Sequence, residues 1–377
     1  YKVRALRPRL RPGVAATRRV EQGVPRHVLA APESGRHFAL GPGAWAVIGA
    51  LDGTRTVDAA WREAAERVGD ALPSQDEVIR LLGQLHKADA LNAGVGPALD
   101  ELVGRGRRGR RRRALQQVRN PLFLKIPLFD PDRFLTATAP LVRPVFTVWG
   151  LVAWAAVMLL AAREAALVWD GLTANLADRA LAAENVAIAL AVFPVAKLIH
   201  ELAHGWAVKV WGGEVREVGL MLLVFLPAPY VDASASSAFP SRGRRVAVAA
   251  AGMMAEGLLA AAALFVWSAA ETGWVTAVAF NVMLIAGVST VFFNGNPLLR
   301  FDAYYILSDL IEVPNLATRS GKWWGWLLHR RGFGLARWAN PARSGFEARW
   351  FALYGPASYA YRVWLTLTIS LFVAEAY

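Results

Sequence analysis

The chain has 377 residues, 55% of them hydrophobic, with 15 Trp and 17 Phe, and 42 Lys+Arg against 29 Asp+Glu give a formal charge of +13. With a mean hydropathy of +0.31, this composition excludes an ordinary soluble enzyme of the same length. Cysteine is absent, which excludes disulfide frameworks, thiolate metal sites and cysteine nucleophiles together, so any metal must be held by His, Asp, Glu or water.

The distribution of charge decides how the excess is read. Residues 1 to 143 hold 25 Lys+Arg against 14 Asp+Glu, and eight arginines fall between Arg105 and Arg119, just ahead of the first long apolar segment. A cluster in that place reads as a cytoplasmic anchor beside anionic lipid. Few aromatics are interleaved with it to stack bases, so a lipid bilayer is the expected partner and nucleic acid is not.

In chain order, two short extended runs at 26 to 31 and 36 to 40 flank Glu33-Ser34-Gly35 and predict a hairpin. Helical patterns follow at 42 to 51, 56 to 69 and 74 to 88, the last opened by Ser74-Gln75-Asp76-Glu77 with the residues of a capping box. Residues 1 to 91 are therefore expected to form a small α+β winged-helix-like domain. The Gly- and Arg-rich stretch from 92 to 119 reads as a linker, and the Pro-containing run up to Pro144 as interfacial, giving a basic linker and interfacial segment over 92 to 143.

The remainder, 144 to 377, predicts a multi-pass α-helical membrane domain with five apolar segments, at 145 to 162, 181 to 211, 246 to 268, 274 to 293 and 350 to 376. If the N-terminal region is cytoplasmic, the inside connections at 209 to 245 and 300 to 349 carry five and eight Lys+Arg, and the outside ones at 163 to 180 and 269 to 273 carry two and none. That is the positive-inside asymmetry. The chain opens on Tyr1 and stops at Tyr377 inside an apolar segment, and further sequence is expected beyond it.

The second apolar segment contains His200-Glu201-Leu202-Ala203-His204. On a helix, histidines four apart share one face, and the glutamate beside them is placed to take a proton from water at a metal. His200 lies about 28 Å along its helix from residue 181, near the far end of the hydrocarbon layer. The fourth segment ends at a similar depth in Asn294-Gly295-Asn296-Pro297-Leu298-Leu299-Arg300-Phe301-Asp302. Gly and Pro must break that helix, and irregular backbone at membrane depth persists only inside protein or along a wet cavity.

These two motifs together resemble the site-2 protease family of intramembrane zinc metalloproteases, which pair HExxH with a distant Asn-x-x-Pro-x-x-x-x-Asp. The match covers about 180 to 310. The phrases Lys209-Val210-Trp211-Gly212-Gly213-Glu214-Val215 and Pro229-Tyr230-Val231-Asp232-Ala233-Ser234 narrow it to a branch of peptide zinc metalloproteases. Members of that branch often begin with a PqqD-like domain and continue into a HlyD-like extracytoplasmic adaptor region. The family usually has Gly after its aspartate, where this chain has Ala303. It commonly has Gly-Pro-x-x-Asn where this chain has Gly252-Met253-Met254-Ala255-Glu256.

The resemblance implies one zinc ion per chain on His200, His204 and Asp302, Glu201 as the proton-transferring base, and substrate contact by Asn294 and Pro297. It also implies a bacterial inner-membrane location and a membrane-protein or peptide substrate. Asn294 has the alternative of capping its helix. Asp232 and Glu256 compete as ligands but more simply organise a loop and a helix contact. His27, His37, His86 and His329 read as ordinary surface or packing residues. A hairpin between Glu214 and Val231 is expected to bind unwound substrate as an added strand along 218 to 224. Beside the peptidase stand a non-hydrolytic scaffold or adaptor of a peptide-export or efflux assembly and, further off, a membrane-tethered winged-helix regulator.

Overall fold

A computed structural model describes residues 3–31, 36–92, 125–223, 226–271, 273–288, 290–332, 334 and 340–376. The predicted turn at Glu33-Ser34-Gly35, almost all of the expected linker and the arginine cluster lie outside the described residues. Two units divide the chain, residues 1–132 with 212–244, and residues 133–211 with 245–377.

In the first unit, β1 (Arg9–Leu10) pairs with β5 (Leu91–Asn92), while β2 (Ala15–Glu21), β3 (Val24–Ala31) and β4 (Arg36–Leu40) form an antiparallel sheet in that order. Gln22 and Gly23 both have positive φ, 50° and 78°. This is the two-residue turn that suits the twist of a hairpin, and it sets the Glu21 to Val24 pairing. The β3–β4 hairpin and the three helices α1 (Pro42–Ile48), α2 (Val57–Val68) and α3 (Gln75–Lys87) match their sequence expectation. Thr56 caps α2 by accepting from Ala59 N at 3.2 Å, and Ser74 and Glu77 form the capping box of α3. The helices and sheet enclose Leu29, Val47, Ile48, Ala60, Leu85 and Ala90.

The same unit holds a second antiparallel sheet, β6 (Lys125–Phe129), β7 (Val218–Leu223) and β8 (Leu226–Val231) in the order β6-β7-β8. The expected hairpin thus forms, but β6 rather than an incoming peptide occupies the other edge of β7. Strand addition along 218 to 224 is corrected by this pairing, because both sides of β7 already have neighbours. Pro227 and Pro229 blunt β8, since neither carries an N–H to give an added strand.

After α4 (Asp132–Val142), four helices among the described residues are long and apolar enough to cross a membrane: α5 (Val148–Leu167), α6 (Ala183–Val210), α7 (Arg242–Ala269) and the span Trp274–Asn294. That last span begins as α8 (Trp274–Met283) and continues through π-helical turns at Leu284–Val288 and Thr290–Asn294. Burial is inverted relative to a soluble protein. Trp149, Leu159 and Val291 are exposed, while Ala203, His204, Ala207, Glu256 and Asn281 are inside. That is the pattern for helices solvated by lipid and packed through small and polar residues. Trp154 Nε1 donates to Met254 O at 3.0 Å between α5 and α7, and Asn281 Nδ2 donates to Asn185 Oδ1 at 3.0 Å between α8 and α6.

The fifth apolar segment is also helical, as part of α11 (Gly345–Ala376), but it is not among the four spans. Ser358, Tyr359, Tyr361 and Arg362 interrupt its apolar run. It packs with α9 (Asp302–Leu310) and α10 (Leu316–Gly332) around Tyr304, Val313, Leu316, Phe351 and Tyr354. As expected, the fourth span stops at Gly295, and residues 295–301 run without helix into α9. Tyr354 Oη donates to Pro297 O at 3.1 Å and Ser358 Oγ to Leu298 O at 2.8 Å, which ties this connection to α11 and delivers Asp302 at the first turn of α9.

Candidate metal centre

His200 and His204 lie one turn apart on α6, both buried, with their rings at 80° and their Nε2 atoms 3.1 Å apart. Asp302 reaches them from α9. Its Oδ2 is 3.1 Å from His200 Nε2 and its Oδ1 3.5 Å from His204 Nε2. Helical periodicity brings the two imidazoles together, and the anchored connection 295–301 brings the carboxylate.

The second nitrogen of each ring reveals what faces the carboxylate. His204 Nδ1 is 2.7 Å from Val248 O. A carbonyl only accepts, so Nδ1 carries the proton and Nε2 presents a lone pair. Glu256 Oε2 stands 3.2 Å from His200 Nδ1, at ion-pair distance though poorly aligned for a hydrogen bond. A carboxylate there favours the proton on Nδ1 and again leaves Nε2 as the inward lone pair. Two nitrogen lone pairs and a carboxylate thus converge, and Asp302 Oδ2 is buried with no hydrogen-bond partner. Such a group repels itself unless a cation or protons lie among its atoms.

The spacing fits a cation. One donor atom from each of the three residues lies within 4.8 Å of the others. Zinc held tetrahedrally at about 2.0–2.1 Å sets its ligand atoms about 3.3 Å apart. The two Nε2 atoms are 3.1 Å apart and His200 Nε2 is 3.1 Å from Asp302 Oδ2, close to that value, while His204 Nε2 is 3.5 Å from the other carboxylate oxygen, Oδ1. Two imidazoles and a carboxylate make a donor set that suits zinc.

Gly252 on α7 lies against the Nε2 edges of both rings. A Cβ built there would sit 2.5 Å from His200 Nε2 and 2.6 Å from His204 Nε2, so only glycine lets the helix approach this closely. Glu201 follows His200 on α6, half-buried, and its carboxylate acts electrostatically on His204. It is not one of the three converging residues.

Among the other sequence candidates, Asn294 is buried and donates from Nδ2 to Glu256 Oε2 at 3.0 Å. Pro297 lies in the tethered connection, where its carbonyl accepts from Tyr354. Asp232 accepts from Ser234 N at 3.0 Å and so organises its own loop. His27 stacks on Trp45 with ring centres 4.3 Å apart, and His329 Nδ1 is 2.7 Å from Gly325 O.

Sequence reasoning missed the supporting residues Lys197 and Val248, and quoted Gly252 within a family phrase without giving it a role. It also underrated Glu256, which is fully buried, accepts from Lys197 Nζ at 2.5 Å, and is bonded by Thr290 Oγ1 as well. The available signal was charge: Lys197 and Glu256 are ionisable residues inside apolar spans, where such residues mark function. A family model for PqqD, the coenzyme PQQ synthesis protein D, matches residues 26–91. No curated protein and no solved structure matches the chain.

Proposed function

We propose that the chain is an intramembrane zinc metallopeptidase that hydrolyses peptide bonds of a membrane-associated peptide or protein. The observation that carries this reading is the convergence of His200, His204 and Asp302 beside Glu201, with one ligand atom from each within 4.8 Å of the others and both histidines on a helix apolar enough to span a bilayer. His200, His204 and Asp302 would hold the ion, which when bound acidifies water and polarises the scissile carbonyl.

Glu201 accepts a proton from the water that attacks the amide carbon and returns it to the amine as the C–N bond breaks. Val248 O fixes the ring of His204, and Gly252 keeps the space beside both Nε2 atoms free of a side chain. The surrounding spans keep the local dielectric low, so each fixed charge acts more strongly than it would in water.

The PqqD-like domain in this reading captures a peptide or a membrane-protein tail on the cytoplasmic side, as the positive-inside asymmetry of the connections suggests. A HlyD-like extracytoplasmic region or partner would belong on the other side. The decisive variant is Glu201→Gln. Cells carrying it should accumulate unprocessed membrane peptides that wild-type cells trim, while the purified variant keeps its metal. Unchanged processing by a metal-loaded Glu201→Gln protein would refute the peptidase and favour the scaffold.

A further inference from the structure

Glu256 has no place in the proton transfer above, yet three donors converge on it beside the centre. Its side chain is fully buried and receives donors from two other helical spans: Lys197 on α6, and Thr290 and Asn294 on the π-helical end of the fourth span. The two oxygens divide the work. Oε1 takes the lysine, whereas Oε2 takes Thr290 and Asn294 and faces His200 Nδ1 at 3.2 Å. An ionised carboxylate offers about four acceptor positions, and Lys197, Thr290 and Asn294 take three of them.

We propose that Glu256 is a positioning residue for the metal: its Oε2 holds His200 with the proton on Nδ1 and Nε2 turned toward His204 and Asp302, and Lys197 anchors the other oxygen, Oε1, at 2.5 Å. The inference rests on the metal-centre reading and deepens it. Histidines that bind metals almost always give their other ring N–H to a carboxylate or a carbonyl, and losing that partner typically weakens metal binding 10- to 100-fold. His204 has the carbonyl version in Val248, and at His200 the Glu256 carboxylate stands in that place, 3.2 Å from Nδ1 and within reach of a hydrogen bond once the ring turns to align it.

A packing role alone would require only the bonds to Lys197, Thr290 and Asn294. The face toward His200 is what distinguishes positioning from packing. The π-helical turns serve the same end. Gly295 N closes back on Thr290 O at 2.6 Å, and the wider helix presents Thr290 and Asn294 to the same carboxylate oxygen.

The test is zinc affinity of the full chain in detergent, measured by competition with a chromogenic chelator, for wild type, Glu256→Gln, Glu256→Asp and Thr290→Val. Glu256→Gln keeps the shape but lets an amide nitrogen face Nδ1; Glu256→Asp keeps the charge but shortens the reach. Both should bind zinc 10- to 100-fold more weakly, and cobalt substituted for zinc should show an altered visible spectrum. Thr290→Val, which removes a partner of Glu256 without touching the imidazole contact, should change affinity less than either. Either Glu256 variant, folded by circular dichroism, with wild-type affinity and cobalt spectrum would overturn the positioning role alone. A folded wild type that binds no zinc would overturn it together with the peptidase.

Discussion

Replacing Gly252 with alanine tests the metal centre without removing any ligand. The new Cβ would lie 2.5 Å from His200 Cε1 and Nε2 and 2.6 Å from His204 Nε2. Carbon atoms in good contact sit about 3.5–4.0 Å apart, so rings and helix must separate by about 1 Å. Metal ligands tolerate errors of about 0.2 Å, which makes this displacement several times too large. We expect zinc affinity to fall at least about 100-fold, equivalent to about 2.7 kcal/mol.

The fold should survive the change. Overpacking costs about 1–3 kcal/mol, and alanine in a helix interior returns about 0.5–1 kcal/mol relative to glycine. Gly257→Ala is the control on the same helix, because its Cβ would meet Met158 Sδ at 3.4 Å and Trp154 Cζ2 at 3.5 Å, which are ordinary contacts. Both variants would be purified in detergent and assayed for zinc by mass spectrometry and chelator competition. Wild-type affinity in Gly252→Ala, or an equal loss in Gly257→Ala, would refute the reasoning.

Asp302→Ala and His204→Ala should each reduce zinc from near one per chain to background, whereas His329→Ala should keep it; retention in either ligand variant would dissolve the three-residue site. Arg319 donates to Glu347 Oε1 at 2.7 Å, to its other oxygen and to Pro341 O, and the glutamate side chain is 3% exposed. Arg319→Met strands that carboxylate and should cost about 3–5 kcal/mol at neutral pH, read from thermal unfolding by the fluorescence of Trp323, Trp324 and Trp326. Burial raises the Glu347 pKa, but the Arg319 guanidinium and the Arg343 N–H outweigh it and hold the group below its ordinary 4.5. A depressed carboxylate contributes its stability above the ordinary value and loses it as pH falls through the folded one. The gap between wild type and variant should therefore narrow below pH 4.5, and an unchanged gap at lower pH would count against the pair.

Much of this arrangement can be read along the chain because it depends on residues close in sequence. The apolar runs become helices, Ser74 and Glu77 cap α3, and His200 and His204 share a face because 3.6 residues make a turn. Asp302 is legible only through its spacing from Asn294 and Pro297. What sequence reading missed depends on other elements. Glu256 and Lys197 are 59 positions apart, and no local pattern announces that one helix will set its carboxylate against the imidazole of another. Strand β2 escaped notice because Arg19 and Glu21 break its apolar alternation. The structure shows why they do: both pair inward, and Arg26 joins Glu21 at 2.8 Å. The pairing of β6 with β7 joins residues about 90 positions apart, and exposed Ile126, Leu128 and Phe129 look more like an interfacial run than a strand.

The tether that delivers Asp302 also orders events during synthesis. A nascent chain carries both histidines well before its aspartate, and the connection bearing that aspartate gains its anchors only after Tyr354 and Ser358 have been added. Two imidazoles alone are an incomplete donor set. On the ribosome the earlier helices therefore emerge with a partial centre, and, on the peptidase reading proposed above, the hazard of a working protease among half-inserted neighbours is deferred to the nearly finished polypeptide.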